Sequence, residues 1–280
     1  MFQRQRVFIL VKTYPTISEK YAELVCTAGV LENGDWVRLY PIPFRQLMDT
    51  QKFKKYTWIS VEMERNTSDF RIESYRPDLD SIIVEPEIPK VNGKVNWAQR
   101  RDIIFHGQQV YTNLTYLIAE AKKSKKSLAI FKPARVRKLI VEKVSDHWDK
   151  NKLNSLQQQA AQMNMFKTPE ELEKEFHAVP KVPYHFRYEF EDDQGNVSTL
   201  MIEDWEIGML YWNCLKRHNN NQHEAIEDVK KKYMIDFSKK DLYFFMGTTK
   251  KFHNVAPNPF IIIGVLPLPK GAINEQICFI

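Results

Sequence analysis

The clearest pattern in the chain is the alternation of aliphatic residues with aromatic or cationic ones in the segment Trp36–Tyr40, which two nearby prolines terminate. Successive side chains of a strand point to opposite faces, so the aliphatic residues share one face and Trp36, Arg38 and Tyr40 share the other. We therefore predict a β-strand whose aliphatic face enters a core and whose aromatic and cationic face meets a partner.

A second apolar run, residues 24–31, precedes this strand, and Asn33-Gly34 lies between the two. An Asn-Gly pair favours a tight turn with positive φ angles. The two runs are therefore predicted to pair as an antiparallel hairpin.

Short β patterns recur through residues 1–90 at intervals of about eight to fifteen residues, with turn residues between them. This spacing is typical of an antiparallel Greek-key barrel, although a β-sandwich gives the same pattern. A second β-rich section covers about 127–265. The chain is thus predicted to be α+β and β-rich.

These patterns predict an N-terminal β domain over 1–95, a helical connector over 96–126 and a second β domain over 127–280. Asn96 is the predicted cap of the first connector helix, and apolar residues at helical spacing predict another helix over 110–121. The second domain is expected to carry a helical insertion at about 146–180 and C-terminal helices, of which one is capped by Asp204.

Composition adds a moderate basic balance, because 41 Lys and Arg residues face 35 Asp and Glu residues, a formal net charge of +6. This charge is compatible with a phosphate-bearing partner. The three cysteines form no C-x-x-C motif, so neither a zinc site nor a disulfide framework is predicted. Neither a signal peptide nor an apolar stretch of membrane-spanning length is recognisable, and we expect a cytoplasmic protein without a membrane partner.

Cationic residues next to aromatic ones on predicted strands suit single-stranded or structured DNA or RNA, with single strands preferred, because rings stack on bases and cations pair with phosphates. The basic segments 122–126 and 132–138 would extend such a surface. The candidate binding residues are Arg38, Tyr40, Arg45, Tyr56, Trp58, Lys12, Tyr14 and Arg76.

Two alternatives remain open. The acids Glu203, Asp204 and Glu206 could hold magnesium in a metal-dependent nuclease, although each also fits the start of a helix. An aromatic and arginine-rich face also suits a protein partner, so a protein-interaction module is the second alternative. Since the common hydrolase motifs are absent, we assign no catalytic residue, metal or cofactor, and favour a binding protein over an enzyme.

Six short segments in combination resemble the bacterial family named for a dual OB-containing domain. The resemblance implies two small OB-like antiparallel barrels with helical insertions, and a nucleic-acid-binding role as an accessory subunit of a bacterial defence or mobile-element system. The segments are Lys12-Thr13-Tyr14-Pro15, Cys26-Thr27-Ala28-Gly29, Trp36 to Arg45, Glu73-Ser74-Tyr75-Arg76-Pro77, Asp204-Trp205-Glu206 and Phe245-Met246-Gly247-Thr248.

Overall fold

The computed structural model describes residues 1–17, 23–124, 126–149, 180–271 and 278–279, and the strands dominate it. Most of the predicted helical insertion at 146–180 lies outside these residues. The strands are β1 (Gln3–Lys12), β2 (Thr16–Ile17), β3 (Glu23–Leu31), β4 (Trp36–Ile42), β5 (Trp58–Arg65), β6 (Ser74–Pro77), β7 (Ile83–Val84), β8 (Gln109–Tyr111), β9 (Leu128–Phe131), β10 (Arg135–Lys143), β11 (Tyr184–Glu191), β12 (Val197–Met201), β13 (Asp241–Thr248), β14 (Phe260–Leu268) and β15 (Cys278–Phe279).

Helices occupy the connector and the region between β12 and β13. They are α1 (Trp97–Phe105), α2 (Leu114–Ser124), α3 (Trp205–Arg217) and α4 (Gln222–Lys230), and a π-helix (Lys231–Asp236) continues α4. Short 3-10 turns lie at Phe44–Gln46, Asp49–Gln51 and Leu79–Ser81. Within the described residues, no helix has the length and apolar character needed to cross a membrane.

The first barrel is a closed ring of strands in the order β1-β3-β4-β6-β5, because β1 pairs with both β3 and β5. All neighbours are antiparallel except β4 and β6, which run parallel. The interior holds the aliphatic face of β4, Val37 and Leu39, together with Ile59, Val61 and Met63 of β5. The aliphatic face of β4 therefore enters a core, as the alternation predicts.

The predicted hairpin of β3 and β4 is confirmed, with Val30 opposite Trp36. Its turn contains Gly34 at a φ of 90°, a conformation that side chains with a Cβ rarely adopt. A Cβ at Gly34 would also lie 2.3 Å from the carbonyl oxygen of His106, which follows α1. Glycine is required there for the turn and for the close approach of the connector.

The second barrel repeats this strand order with its first strand divided into β9 and β10 by residues 132–134. β10 pairs with β11 and β11 with β12, while β9 pairs with β13 and β13 with β14. A parallel bridge between Ile202 and Ile262 joins the end of β12 to β14 and completes the circuit. The chain is thus α+β and strand-rich, with two OB-like barrels, as predicted.

The connector differs from the prediction in one element. Asn96 caps α1 as expected, because its Oδ1 accepts a hydrogen bond from the Gln99 amide at 3.1 Å. Val110, however, lies in β8, which pairs in parallel with β9, and the next helix begins at Leu114. The predicted helix over 110–121 is therefore wrong at its start, since strand pairing with β9 overrides the helical spacing.

An apolar cluster joins the two barrels. It contains Phe8 and Leu10 of β1, which face away from the first barrel's interior, and Tyr243 and Phe245 of β13. The Trp36 ring packs against Phe245 edge to face, with ring centroids 6.0 Å apart. The aromatic and cationic face of β4, predicted to meet a partner, lies against the second barrel of the same chain.

Because the barrels share this core, we predict that Phe245→Ala lowers the free energy of unfolding by about 3–5 kcal/mol, the range for a large aromatic side chain removed from a core. Urea unfolding followed by both tryptophan fluorescence and far-UV circular dichroism would measure this loss, and both signals should shift together. Val197→Ala, at a half-exposed position on β12, is the control and should change stability by less than about 0.5 kcal/mol. Separate transitions for the two signals would show that the barrels unfold independently.

Candidate functional site

The two barrels border a cleft of about 350 Å³, which we call the inter-barrel cleft. The first barrel contributes the segment after β1, strands β3 and β4, and the β5–β6 loop. The second contributes the end of β12, strands β13 and β14, and the loop between them. The lining residues are Thr13, Thr16, Cys26, Arg38, Tyr40, Asn66, Ser68, Asp69, Arg71, Glu203, Gly247, Thr248, Thr249, Lys250, Ile261 and Ile263.

The position of this cleft corresponds to the ligand-binding surface of OB barrels, which use the second and third strands and the loops after the first and fourth strands. In the first barrel those strands are β3 and β4, and those loops are the segment after β1 and the β5–β6 loop. The second barrel adds its own loop after the fourth strand, between β13 and β14. Two loops of the same kind therefore meet at one cleft.

Arg38 forms the floor of the cleft and is only 2% exposed. Its guanidinium donates to the Ser127 hydroxyl at 2.7 Å, and to the carbonyls of Ser127 at 3.3 Å and Thr248 at 3.5 Å. Burial lowers its pKa below the ordinary value. Its Nε is buried without a hydrogen-bond partner among the described residues. Arg38 thus ties β4 to the second barrel.

A second buried arginine completes this contact. Arg71 Nε donates to Asp69 Oδ1 at 3.0 Å, and the Arg71 guanidinium also reaches the Thr248 carbonyl. Burial alone would raise the pKa of Asp69, but hydrogen bonds and charge from Arg71 outweigh it and hold the pKa at about 2. Glu73 accepts from the Ser127 amide and hydroxyl, each at 2.8 Å. Two arginines therefore face two carboxylates, which keeps the buried junction electrically balanced.

The mouth of the cleft is more accessible. Lys250 is exposed and donates to the Ser68 carbonyl across the barrels, and Tyr40 is half-buried. Burial raises the pKa of the half-buried Glu203. The mouth thus combines a cation and an aromatic ring, which are able to contact a phosphate and a base, with a carboxyl group beside them.

A larger cavity of about 480 Å³ lies between the barrels at the other end of the aromatic and cationic face of β4, beside Trp36. Its cation, Lys126, donates to the Tyr111 hydroxyl at 2.9 Å. Of its two carboxylates, Asp35 accepts from the Asn33 amide group at 2.8 Å and Glu73 accepts from Ser127. We favour the inter-barrel cleft because it presents an accessible cation together with the loops of both barrels.

The other candidate binding residues lie in different parts of the structure, outside the inter-barrel cleft. Lys12 is buried, and its Nζ donates to the Phe53 carbonyl at 3.0 Å and lies 4.2 Å from the centroid of the Phe44 ring. The Tyr14 hydroxyl donates to the Pro180 carbonyl and accepts from Trp212, both at 2.8 Å.

Of the remaining candidates, Tyr56 is buried and lies 4.8 Å from the Arg100 guanidinium, and Trp58 lies 4.9 Å from the Arg6 guanidinium. Arg45 and Arg76 are exposed, outside the lining of the inter-barrel cleft. The structure therefore brings only Arg38 and Tyr40 of the eight candidates into that cleft.

The two predicted basic segments, 122–126 and 132–138, also lie in different parts of the structure. Lys122 lies in the last turn of α2 and donates to the Pro257 carbonyl at 3.2 Å, while Lys125 lies outside the described residues. On β10, Lys138 pairs with Glu189 at 3.1 Å. Sequence reasoning missed Asp69, Arg71 and Lys250. Their position in the sequence is the signal that could have identified them, because they are charged residues in the loop after the fourth strand of each barrel.

The acidic residues near α3 have structural partners. Asp204 is fully buried and caps α3, accepting from the Glu206 amide at 3.2 Å and the Val265 amide at 3.1 Å. Lys55 lies 3.2 Å from both Asp204 and Glu206. Burial would lower the pKa of Lys55, but these carboxylates outweigh burial and raise it. In the part of the chain that the structure describes, no group of three His, Cys, Asp or Glu side chains is arranged to hold a metal.

Comparison with protein families finds two adjacent domains. Residues 3–106 match the family described as domain of unknown function DUF8758, and residues 111–279 match domain of unknown function DUF8757. No curated protein matches the sequence.

Among solved structures, a murine DNA-binding protein bound with double-stranded DNA aligns over 97% of this chain and 100% of its own. The identity is 10% and the TM-score 0.31, so this similarity carries no argument about fold or function.

Removal of the buried Asp204 carboxylate should strongly destabilise the fold. We predict that Asp204→Ala lowers the free energy of unfolding by about 3–5 kcal/mol, because Lys55 is left buried without its main partner and α3 loses its cap. Urea unfolding would measure the loss. Glu206→Ala, which removes the exposed carboxylate of the same cluster, is the control and should cost about 1 kcal/mol or less. Equal losses in the two variants would contradict the structural role of Asp204.

The buried amine of Lys12 makes the stability of the protein dependent on pH. Burial, with a smaller contribution from the charge of Lys55, lowers its pKa from 10.5 to about 8. The unfolded chain therefore binds more protons at this site between about pH 8 and pH 10.5, so the Lys12 contribution to stability rises with pH across that window. Across this pH window, the free energy of unfolding of the wild type should therefore rise by up to about 3 kcal/mol relative to that of Lys12→Met.

Unfolding of both proteins at several pH values would measure this gain, and NMR titration of the Lys12 side chain would measure its pKa directly. Lys54→Met is the matched control, because the Lys54 side chain is 78% exposed and should leave the pH dependence unchanged. A Lys12 titration midpoint near pH 10.5 would show that burial does not act on this amine as described.

Proposed function

The chain belongs to the DUF8757 family, and from the geometry of the inter-barrel cleft we propose that it binds single-stranded nucleic acid. The observation that carries this proposal is the meeting of two OB-type binding loops at one cleft, together with the second and third strands of the first barrel. OB barrels place single strands across this surface, with bases on aromatic rings and phosphates beside cations.

Each side chain at the cleft has a distinct proposed part. Tyr40 offers a ring face to one base, and Lys250 pairs with a phosphate through donors that its contact with Ser68 does not use. Arg38 and Arg71 act as positioning residues, because they fix the β5–β6 loop and β4 on the second barrel rather than reaching the strand. Arg45 and Arg76, both exposed, extend the contact to neighbouring phosphates.

The resemblance of the chain to bacterial dual OB-containing proteins supports the same proposal. In that setting the protein would serve as an accessory nucleic-acid-binding subunit of a defence or mobile-element system. A net charge of +6 favours this class of partner, since phosphate backbones attract a basic protein over distances of about 10 Å.

The test uses two adjacent lysines. We predict that Lys250→Glu weakens binding of a labelled single strand by about 1–2 kcal/mol, because one phosphate contact is lost. The slope of the logarithm of the binding constant against the logarithm of the salt concentration should become shallower by about 1, since about one counterion fewer is released. Lys251→Glu makes the same charge change outside the cleft lining and should bind close to wild type. Fluorescence anisotropy with single-stranded DNA, single-stranded RNA and duplex, at about 50 and about 200 mM salt, gives the comparison.

Equal weakening in the two variants would show general charge attraction and contradict a specific role for the cleft. Absence of binding to all three nucleic acids would overturn the proposal and favour the protein-interaction module. Magnesium-dependent cleavage of the labelled strand would instead favour the acids near Asp204 as a nuclease centre.

A further inference from the structure

A separate cavity of about 410 Å³ lies on the second barrel, and we call it the β10 cavity. Its walls are the link between β9 and β10, the first residues of β10, the π-helix Lys231–Asp236 with the turn after it, and the start of β13. It shares no lining residue with the inter-barrel cleft. A ligand bound there would therefore occupy an independent site.

Cations dominate this cavity. Lys132, Arg135 and Lys240 line it from three different segments, against one carboxylate, Asp241. Lys132 is held in place, because its Nζ lies 2.8 Å from Asp241 Oδ1 and 4.8 Å from the centroid of the Tyr243 ring. The carboxylate is thereby neutralised within the cavity wall.

Arg135 and Lys240 remain available to a ligand. Both are exposed, and neither forms an ion pair or side-chain hydrogen bond with another described residue. Other cations of the same strand are paired, as Lys138 is with Glu189 at 3.1 Å. Two cations without carboxylate partners at one cavity form a site of positive potential.

The remaining lining is apolar or aromatic. Val136 of β10, Leu242 of β13, Met234 of the π-helix and Phe237 directly after it line the cavity together with the buried Tyr233. Single π-helical turns occur frequently at functional sites because they change which side chains face one side of a helix. The volume is within the range of cavities that hold small organic ligands.

We propose that the β10 cavity binds a phosphomonoester attached to an aromatic base, the chemistry of a mononucleotide or of a phosphorylated strand end. The Arg135 fork matches two phosphate oxygens, and Lys240 supplies a second charge. The base lies against Phe237 and Met234. The site is distinct from the strand-binding cleft and does not depend on it.

The experiment measures binding of AMP, adenosine and inorganic phosphate to the full chain by calorimetry. AMP should bind, adenosine should bind about tenfold or more weakly, and Arg135→Ala with Lys240→Ala should weaken AMP by about tenfold or more, since two charge-assisted contacts are lost. Lys239→Ala is the matched control, because Lys239 is exposed beside Lys240 but does not line the cavity. It should leave AMP affinity unchanged.

Lys250→Glu should likewise leave AMP affinity unchanged, which separates this site from the inter-barrel cleft. Comparison of 5′-phosphorylated and unphosphorylated oligonucleotides identifies the source of the phosphate. A preference for the phosphorylated strand that the double variant loses assigns a strand end, and AMP binding without that preference assigns a free nucleotide. Wild-type protein that binds no AMP, or equal losses in the double variant and in Lys239→Ala, would overturn the proposal.

Discussion

The contact between the two barrels is the constraint on which the rest of the structure depends. The outward side chains of β1 and the Trp36 face of β4 are apolar enough to require a cover, and β13 supplies it with Tyr243 and Phe245. Arg38 projects into the same interface, so its charge must be satisfied by polar groups of the partner barrel. Burial of apolar surface holds the barrels together, and the polar contacts fix their relative orientation.

That orientation creates the inter-barrel cleft. The β5–β6 loop is bound to the second barrel through Arg71 and Glu73, and this contact brings it beside the β13–β14 loop. Because Asp69 and Glu73 balance the two buried arginines, the floor adds little net charge of its own. The charged groups at the mouth are therefore Lys250 and Glu203, beside the ring of Tyr40.

The two barrels share a strand order but differ in the surfaces that the proposed ligands would contact. The proposed strand-binding surface of the first barrel uses its second and third strands, which the second barrel partly covers. The second barrel divides its first strand at residues 132–134 and carries α3, α4 and the π-helix between its third and fourth strands. This division separates Lys132 from Arg135 and opens the β10 cavity between them, a feature for which the first barrel has no counterpart among its described residues.

The sequence by itself determined the local elements, because strand alternation, turn chemistry and helix caps act between residues close in the chain. The faces of β4, the Asn33-Gly34 hairpin, and the caps Asn96 and Asp204 follow from such short-range rules. Only the tertiary structure decided what covers each face. Alternation assigns Arg38 to the face opposite Leu39, but distant residues, Ser127 and Thr248, decide that this face is buried within the chain. The same long-range pairing places Val110 in a strand and brings Lys250 to the cleft, since these outcomes depend on contacts between segments far apart in sequence.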